Sequence, residues 1–151
     1  MQEETEFQYN KFAAELITSV ELQEPLEGTF EGACFTHNDD SWHELTHIVF
    51  SEDTNAIESL KLSVTWKDQG EGTSKGCLKV VLVNGPDEVI SEEVFGMAPH
   101  HWQDQEIEFS ASSRLVNSFS RSDSYRVYYK VGSGGSNKLF IKQFSYRADY
   151  E

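Results

Sequence analysis

Leu60 to Gly76 reads LKLSVTWKDQGEGTSKG, and its first eight residues alternate without a fault. Leu60, Leu62, Val64 and Trp66 fall on one side, Lys61, Ser63, Thr65 and Lys67 on the other. A period of two places one face of a β-strand in a core and the other in water. The strand then enters a glycine-spaced loop, Asp68 to Gly76, where turn chemistry replaces periodicity. A lone strand cannot bury its apolar face, so the partners must come from the rest of the chain.

From Thr46 onward the sequence supplies them. Strands are expected at Thr46 to Phe50, Leu78 to Val83, Glu88 to Phe95, Gln105 to Phe109, Tyr125 to Val131 and Lys138 to Tyr150, besides the one already read. The separators are Asn84-Gly85-Pro86-Asp87, Gly96 to Pro99 and Gly132-Ser-Gly-Gly-Ser136, all typical turn chemistry. Short strands with short Gly/Pro/Asn turns give an all-β antiparallel sandwich or barrel, not a parallel α/β sheet.

The last strand changes phase. Leu139 and Ile141 share one parity, whereas Phe144, Tyr146, Ala148 and Tyr150 share the other, which predicts a bulge or bend near Lys142-Gln143. Phe12, Leu16 and Val20, with Ala13 and Ile17, fit a short helix or an edge strand, while Thr29 to Phe35 looks extended. Ala111 to Ser124 reads as a long connection or a short helix around Arg114 to Phe119.

The 151 residues fit one domain, 1–151, with no repeat or compositional boundary inside it. Acidic residues number 26 against 12 basic, for a formal net charge of −14. That balance argues against nucleic acid or an anionic membrane as a partner and favours neutral ligands, cations or a basic protein. The opening MQEETEF lacks the pattern of a secretory signal, and no apolar stretch approaches the ~20 residues of a membrane span. A cytoplasmic location is therefore expected, with Cys34 and Cys77 as two small buried thiols.

If consecutive strands reverse, every second connection lies at the same end of the sandwich. Thr36 to Trp42 (THNDDSW), Asp68 to Gly76 (DQGEGTSKG), Gly96 to Asp104 (GMAPHHWQD) and Gly132 to Asn137 (GSGGSN) then gather at one pole. The opposite pole receives Ser51 to Ser59, Asn84 to Asp87 and Ala111 to Ser124. The first pole is chemically richer, with seven glycines and two of the three tryptophans. Planar polar groups beside a flat aromatic surface suit a sugar ring, whose hydroxyls pair in plane while its C–H face stacks. The expected ligand-binding residues are Asp68, Gln69, Lys75, His100, His101, Trp102 and Asn137, and the expected ligand is a neutral carbohydrate or glycan.

Two metal signals compete with that expectation. His43-Glu44-Leu45-Thr46-His47 matches H-E-x-x-H, in which a helix puts two imidazoles on one face and the glutamate activates water. It raises a zinc-dependent hydrolase as an alternative. Yet Thr46-His47-Ile48-Val49-Phe50 is β-prone, and on a strand the two histidines stand about 13 Å apart, too far to share one ion. Asp39 and Asp40 offer oxygens suited to a structural calcium, without the ligand rhythm of an EF-hand. His100-His101 is too small a set to hold a metal alone. Glu106 and Glu108 share a strand face opposite Ile107 and Phe109 and mark a solvated edge. Nucleophile-elbow and phosphate-loop motifs are absent, so no enzymatic activity is expected and no cofactor is implied beyond a structural calcium.

WKDQGEGTSKG, APHHW and the closing hairpin VYYKVGSGGSNKLFIKQFSYRADY, in this order of elements, resemble a galactose-binding-domain-like jelly roll over roughly Cys34 to Glu151. The resemblance implies a sandwich of about eight strands with a sugar or glycan held by loops at one end, and in some members a structural calcium. In that arrangement Asp68, Gln69 and His101 meet hydroxyls, Trp102 stacks, and Lys75 or Asn137 completes the rim. A protein-interaction or self-assembly module using the same loops or the strand edges is the other expectation.

Overall fold

A computed structural model describes residues 24–151. The apolar stripe around Phe12, Leu16 and Val20 lies outside the described residues. Eight strands follow in order: β1 (Leu26–Phe35), β2 (His43–Val49), β3 (Ile57–Asp68), β4 (Cys77–Asn84), β5 (Asp87–Phe95), β6 (Gln103–Phe109), β7 (Ser124–Lys130) and β8 (Leu139–Tyr150). One short helix, α1 (Arg114–Asn117), interrupts the connection between β6 and β7. Two antiparallel four-stranded sheets result, ordered β1-β8-β3-β6 and β2-β7-β4-β5. This interleaving of early and late strands is the jelly roll.

The alternation read in β3 survives intact. Leu60, Leu62 and Trp66 are fully buried and Val64 is 2% exposed, while Lys61, Ser63, Thr65 and Lys67 face outward, each half-buried. From the facing sheet come Ile48, Leu78, Val80, Leu82, Tyr125 and Val127, also fully buried. Trp66 satisfies its only polar atom by donating from Nε1 to Gln105 Oε1 at 3.2 Å, and Tyr125 donates its hydroxyl to the Leu115 carbonyl at 2.8 Å. Burial pushes the Tyr125 phenol well above the usual tyrosine range, with the nearby Asp123 charge adding to it. At the pole away from the glycine loops, α1 delivers Leu115 and Val116 into the core, and Ser113 caps it by accepting from Val116 N.

The phase change in β8 is a bulge at Lys142. Thr65 pairs with Gln143 and Trp66 with Ile141, which leaves Lys142 without a partner on β3. The bulge returns Phe144 and Ala148 to the core and turns Phe140 outward. Opposite it, β1 changes phase at Gly32, whose φ of 61° is a left-handed conformation that glycine adopts at low cost. The same change corrects the expectation for Cys34, which is exposed rather than buried; Cys77 is half-buried, and both are free thiols.

Strands β4 and β5 form a hairpin around Gly85-Pro86, with Asn84 opposite Asp87. Every other connection runs from one sheet to the other, including all four at the glycine-bearing pole.

Candidate functional site

Residues 36–42, 69–76, 96–102 and 131–138 do converge on one pole, as the reversal of successive strands dictates. Side chains knit them together. Asp68, at the end of β3, donates its backbone N–H to the Pro99 carbonyl at 2.7 Å. Its carboxylate accepts from Gly70 N at 2.7 Å, Ser74 Oγ at 3.3 Å and the His100 ring N–H at 2.9 Å. Gln69 donates to Asn137 Oδ1 at 3.3 Å and accepts from Lys138 N at 3.1 Å. Lys75 Nζ donates to the Ser133 carbonyl at 2.7 Å, and Asn137 Nδ2 donates to the same carbonyl at 2.8 Å. Asp40 accepts from Ser133 N and Oγ at 2.9 and 2.6 Å, and Asn38 accepts from Gly135 N at 3.3 Å. Connector 36–42 is thus tied to 131–138, that one to 69–76, and that one to 96–102.

The expected site residues separate into three groups. Gln69, Lys75 and Asn137 line a cleft of about 320 Å³ together with Glu71, Gly72, Thr73, Gly134 and Ser136. Lys75 keeps two N–H groups, and Gln69 and Asn137 keep lone pairs, after the bonds described above. Asp68 and His100 form the support. Asp68 is only 1% exposed, so the expectation that it meets a ligand hydroxyl gives way to a role inside the wall: both oxygens are consumed by the connectors it braces. His101 and Trp102 stand outside the cleft and are exposed.

Trp102 is 48% exposed and held by two neighbours. Its ring meets Phe140 at 6.4 Å and 70°, and Lys67 Nζ sits 5.3 Å from its centroid and 5.1 Å from that of Phe140. These three belong to the outer face of sheet β1-β8-β3-β6, where β3 pairs Lys67 with Phe140. Farther along that face lies a shallow polar hollow of about 270 Å³ lined by Ser63, Thr65, Asp104, Glu106, Gln143 and Ser145, among others. The sequence reading missed Lys67 and Phe140. The signal was present, since a phase change before Phe144 exposes the alternate residues upstream of it.

The histidine motif is a strand, not a helix. His43 and His47 lie on β2; His43 Nε2 donates to Asp39 Oδ1 at 3.0 Å, whereas His47 Nε2 is bonded to Ser124 Oγ at 2.7 Å. The shared ion required by the zinc-hydrolase alternative therefore has no geometry here. Burial holds the His47 imidazole below the usual histidine range, with the Arg126 charge in the same direction.

Asp39 and Asp40 do not converge as a calcium pair would. Asp40 turns to Ser133, whose hydroxyl and then amide hold its carboxyl below the usual range. Asp39 turns the other way, toward His37 and His43, and the His43 hydrogen bond lowers its pKa.

No family model matches the sequence, and no curated protein matches it. Among solved structures, the infectious bursal disease virus Gt strain aligns at a TM-score of 0.57 and 12% identity, over 85% of this chain and 34% of that one. The infectious bursal disease virus T13 particle aligns at 0.58 and 11%, over 85% and 32%. This chain spans about a third of the length of those viral chains. The CBM22-1 xylan-binding domain of Paenibacillus barcinonensis Xyn10C aligns at 0.49 and 12%, over 86% and 88%, a score at which nothing about function follows. At these identities the viral likeness is one of fold: an antiparallel jelly-roll β-sandwich.

Proposed function

We propose that this protein is a non-catalytic binding module for a neutral carbohydrate, engaged at the glycine-bearing pole. The observation that carries the reading is Trp102, a large aromatic ring half open to solvent, packed against Phe140 and with Lys67 Nζ over one face. Those contacts leave the rest of the ring in water, where a sugar's C–H face would cover it. Gln69, Lys75 and Asn137 supply in-plane donors and acceptors in the neighbouring cleft, His101 adds an exposed imidazole, and Asp68 with His100 holds the wall. The acidic chain, at a net charge of −14, suits an uncharged ligand better than a sulfated or uronic one.

A glycan array followed by calorimetric titration tests it. Trp102→Ala and Asn137→Ala should each weaken the best sugar about tenfold, close to 1.4 kcal/mol. Failure of all neutral glycans to bind at millimolar concentration, or unchanged affinity in Trp102→Ala, overturns the reading.

Protein interaction is a second reading, favoured by one observation. Val49 and Val89, 59% and 48% exposed, lie on β2 and β5, the two outer strands of one sheet, where an unpaired backbone can accept another strand. Light scattering of the full chain across a concentration series, with Val89→Lys as comparison, checks it.

A further inference from the structure

Connector 36–42 does more than close the pole. His37 and His43 stack face to face, ring centroids 3.8 Å apart and planes 13° off parallel. The Asp39 carboxylate bonds to His43, and one ligand atom from each of His37, Asp39 and His43 lies within 4.8 Å of the others. All three residues are half-buried. Beneath them Tyr129 bonds its hydroxyl to His37 Nε2 at 2.8 Å, while Phe35 stacks on the Tyr129 ring at 3.9 Å. Among the described residues this is the one cluster of three or more histidine, cysteine, aspartate or glutamate side chains gathered tightly enough to hold an ion.

We propose that His37, Asp39 and His43 form a binding site for a first-row divalent transition metal, zinc being the probe. Two imidazoles and a carboxylate are a borderline donor set, suited to zinc or copper and poor for calcium, which takes oxygen ligands. Zinc bonds of about 2.0–2.1 Å put tetrahedral donors about 3.3 Å apart. Reaching that value requires the stacked rings to turn out of their parallel arrangement, so that both in-plane lone pairs meet one ion, a movement of side chains on a connector and at the first residue of β2. His43 is anchored by the strand, and His37 and Asp39 precede it by six and four positions, so the chain loops around the ion. Tyr129 is a positioning residue: its hydroxyl fixes the His37 ring, the kind of outer contact that orients a metal-bound imidazole. A divalent ion with one carboxylate leaves a local charge of +1, which the surrounding acidic chain favours. The site differs from H-E-x-x-H, since it uses His43 with His37 and leaves His47 to Ser124.

The experiment titrates the metal-free full chain with Zn²⁺ in competition with a chromogenic chelator. One equivalent should bind. His37→Ala and His43→Ala should each lose about tenfold or more in affinity, Tyr129→Phe a smaller but measurable amount, and His47→Ala nothing. On the unmutated protein, Zn²⁺ should protect His37 and His43 from diethyl pyrocarbonate, read by mass spectrometry, and leave His47, His100 and His101 as reactive as before. That readout keeps the test alive if a variant fails to fold. Absence of stoichiometric binding, retained affinity in both His37→Ala and His43→Ala, or loss in His47→Ala equal to that in His43→Ala overturns the proposal. So does protection centred on His100 and His101.

Discussion

Replacing Asp68 by alanine should disconnect two of the four polar connectors from each other without touching the core. The side chain is 2% exposed and accepts three hydrogen bonds, from Gly70 N, Ser74 Oγ and His100. A bond to a charged acceptor is worth about 1.5–3 kcal/mol, and an orphaned partner costs more only if water cannot reach it. Gly70 is exposed and Ser74 half-buried, and the His100 side chain is 39% exposed, so water recovers much of the loss. The expected destabilisation is about 2–4 kcal/mol for Asp68→Ala and about 1–2 for Asp68→Asn, whose carbonyl still accepts from Gly70. A double-mutant cycle with His100→Ala should give a coupling below about 1 kcal/mol, as a partly exposed pair does. Urea unfolding measures all five proteins, and hydrogen exchange at the Gly70 amide reports the local bond. A change under about 0.5 kcal/mol in Asp68→Ala, the size of an indifferent surface substitution, with Gly70 exchange unaltered, would refute the bracing role.

Gly132→Ala should destabilise by about 2–4 kcal/mol in thermal unfolding, because φ is +104° there and an added Cβ would stand 2.5 Å from Lys75 Cβ, a stem atom that cannot swing away. His47 has a folded pKa below the ordinary 6.5, so the unfolded chain binds the extra proton; stability is full above pH ~6.5 and falls as pH drops through the folded value. The urea midpoint should accordingly fall less steeply from pH 7.5 to 5 in His47→Gln than in the unmutated protein. Iodoacetamide should label Cys34 in the native protein well before Cys77, which is half-buried with its thiol donating to the Lys75 carbonyl, as peptide mass mapping will read.

The fold was legible because its signals are local. Alternation in β3 located the core face residue by residue, and the parity switch between Ile141 and Phe144 announced the bulge at Lys142. Antiparallel reversal then sorted the connectors between the poles by counting alone. Side-chain direction within connectors was not legible, because no periodicity governs it. Asp68 looks like a ligand contact because it opens a loop, yet β3 runs on through it and it shares the inward parity of Leu62, Val64 and Trp66, a signal that the alternation carried. Cys34 was misplaced for the same reason as Phe140 was overlooked: the phase changes at Gly32 and Lys142 reverse the alternation around them. His37 and Tyr129 are separated by 92 positions, and only the pairing of β2 with β7 brings them together.

Each of the four connectors at this pole begins on one sheet and ends on the other. A molecule gripped by several of them at once would act as a bolt through both layers, resisting the sliding of one against the other. Its presence should therefore register mechanically, as a higher force to shear the layers apart in single-molecule pulling, even where the affinity itself is modest.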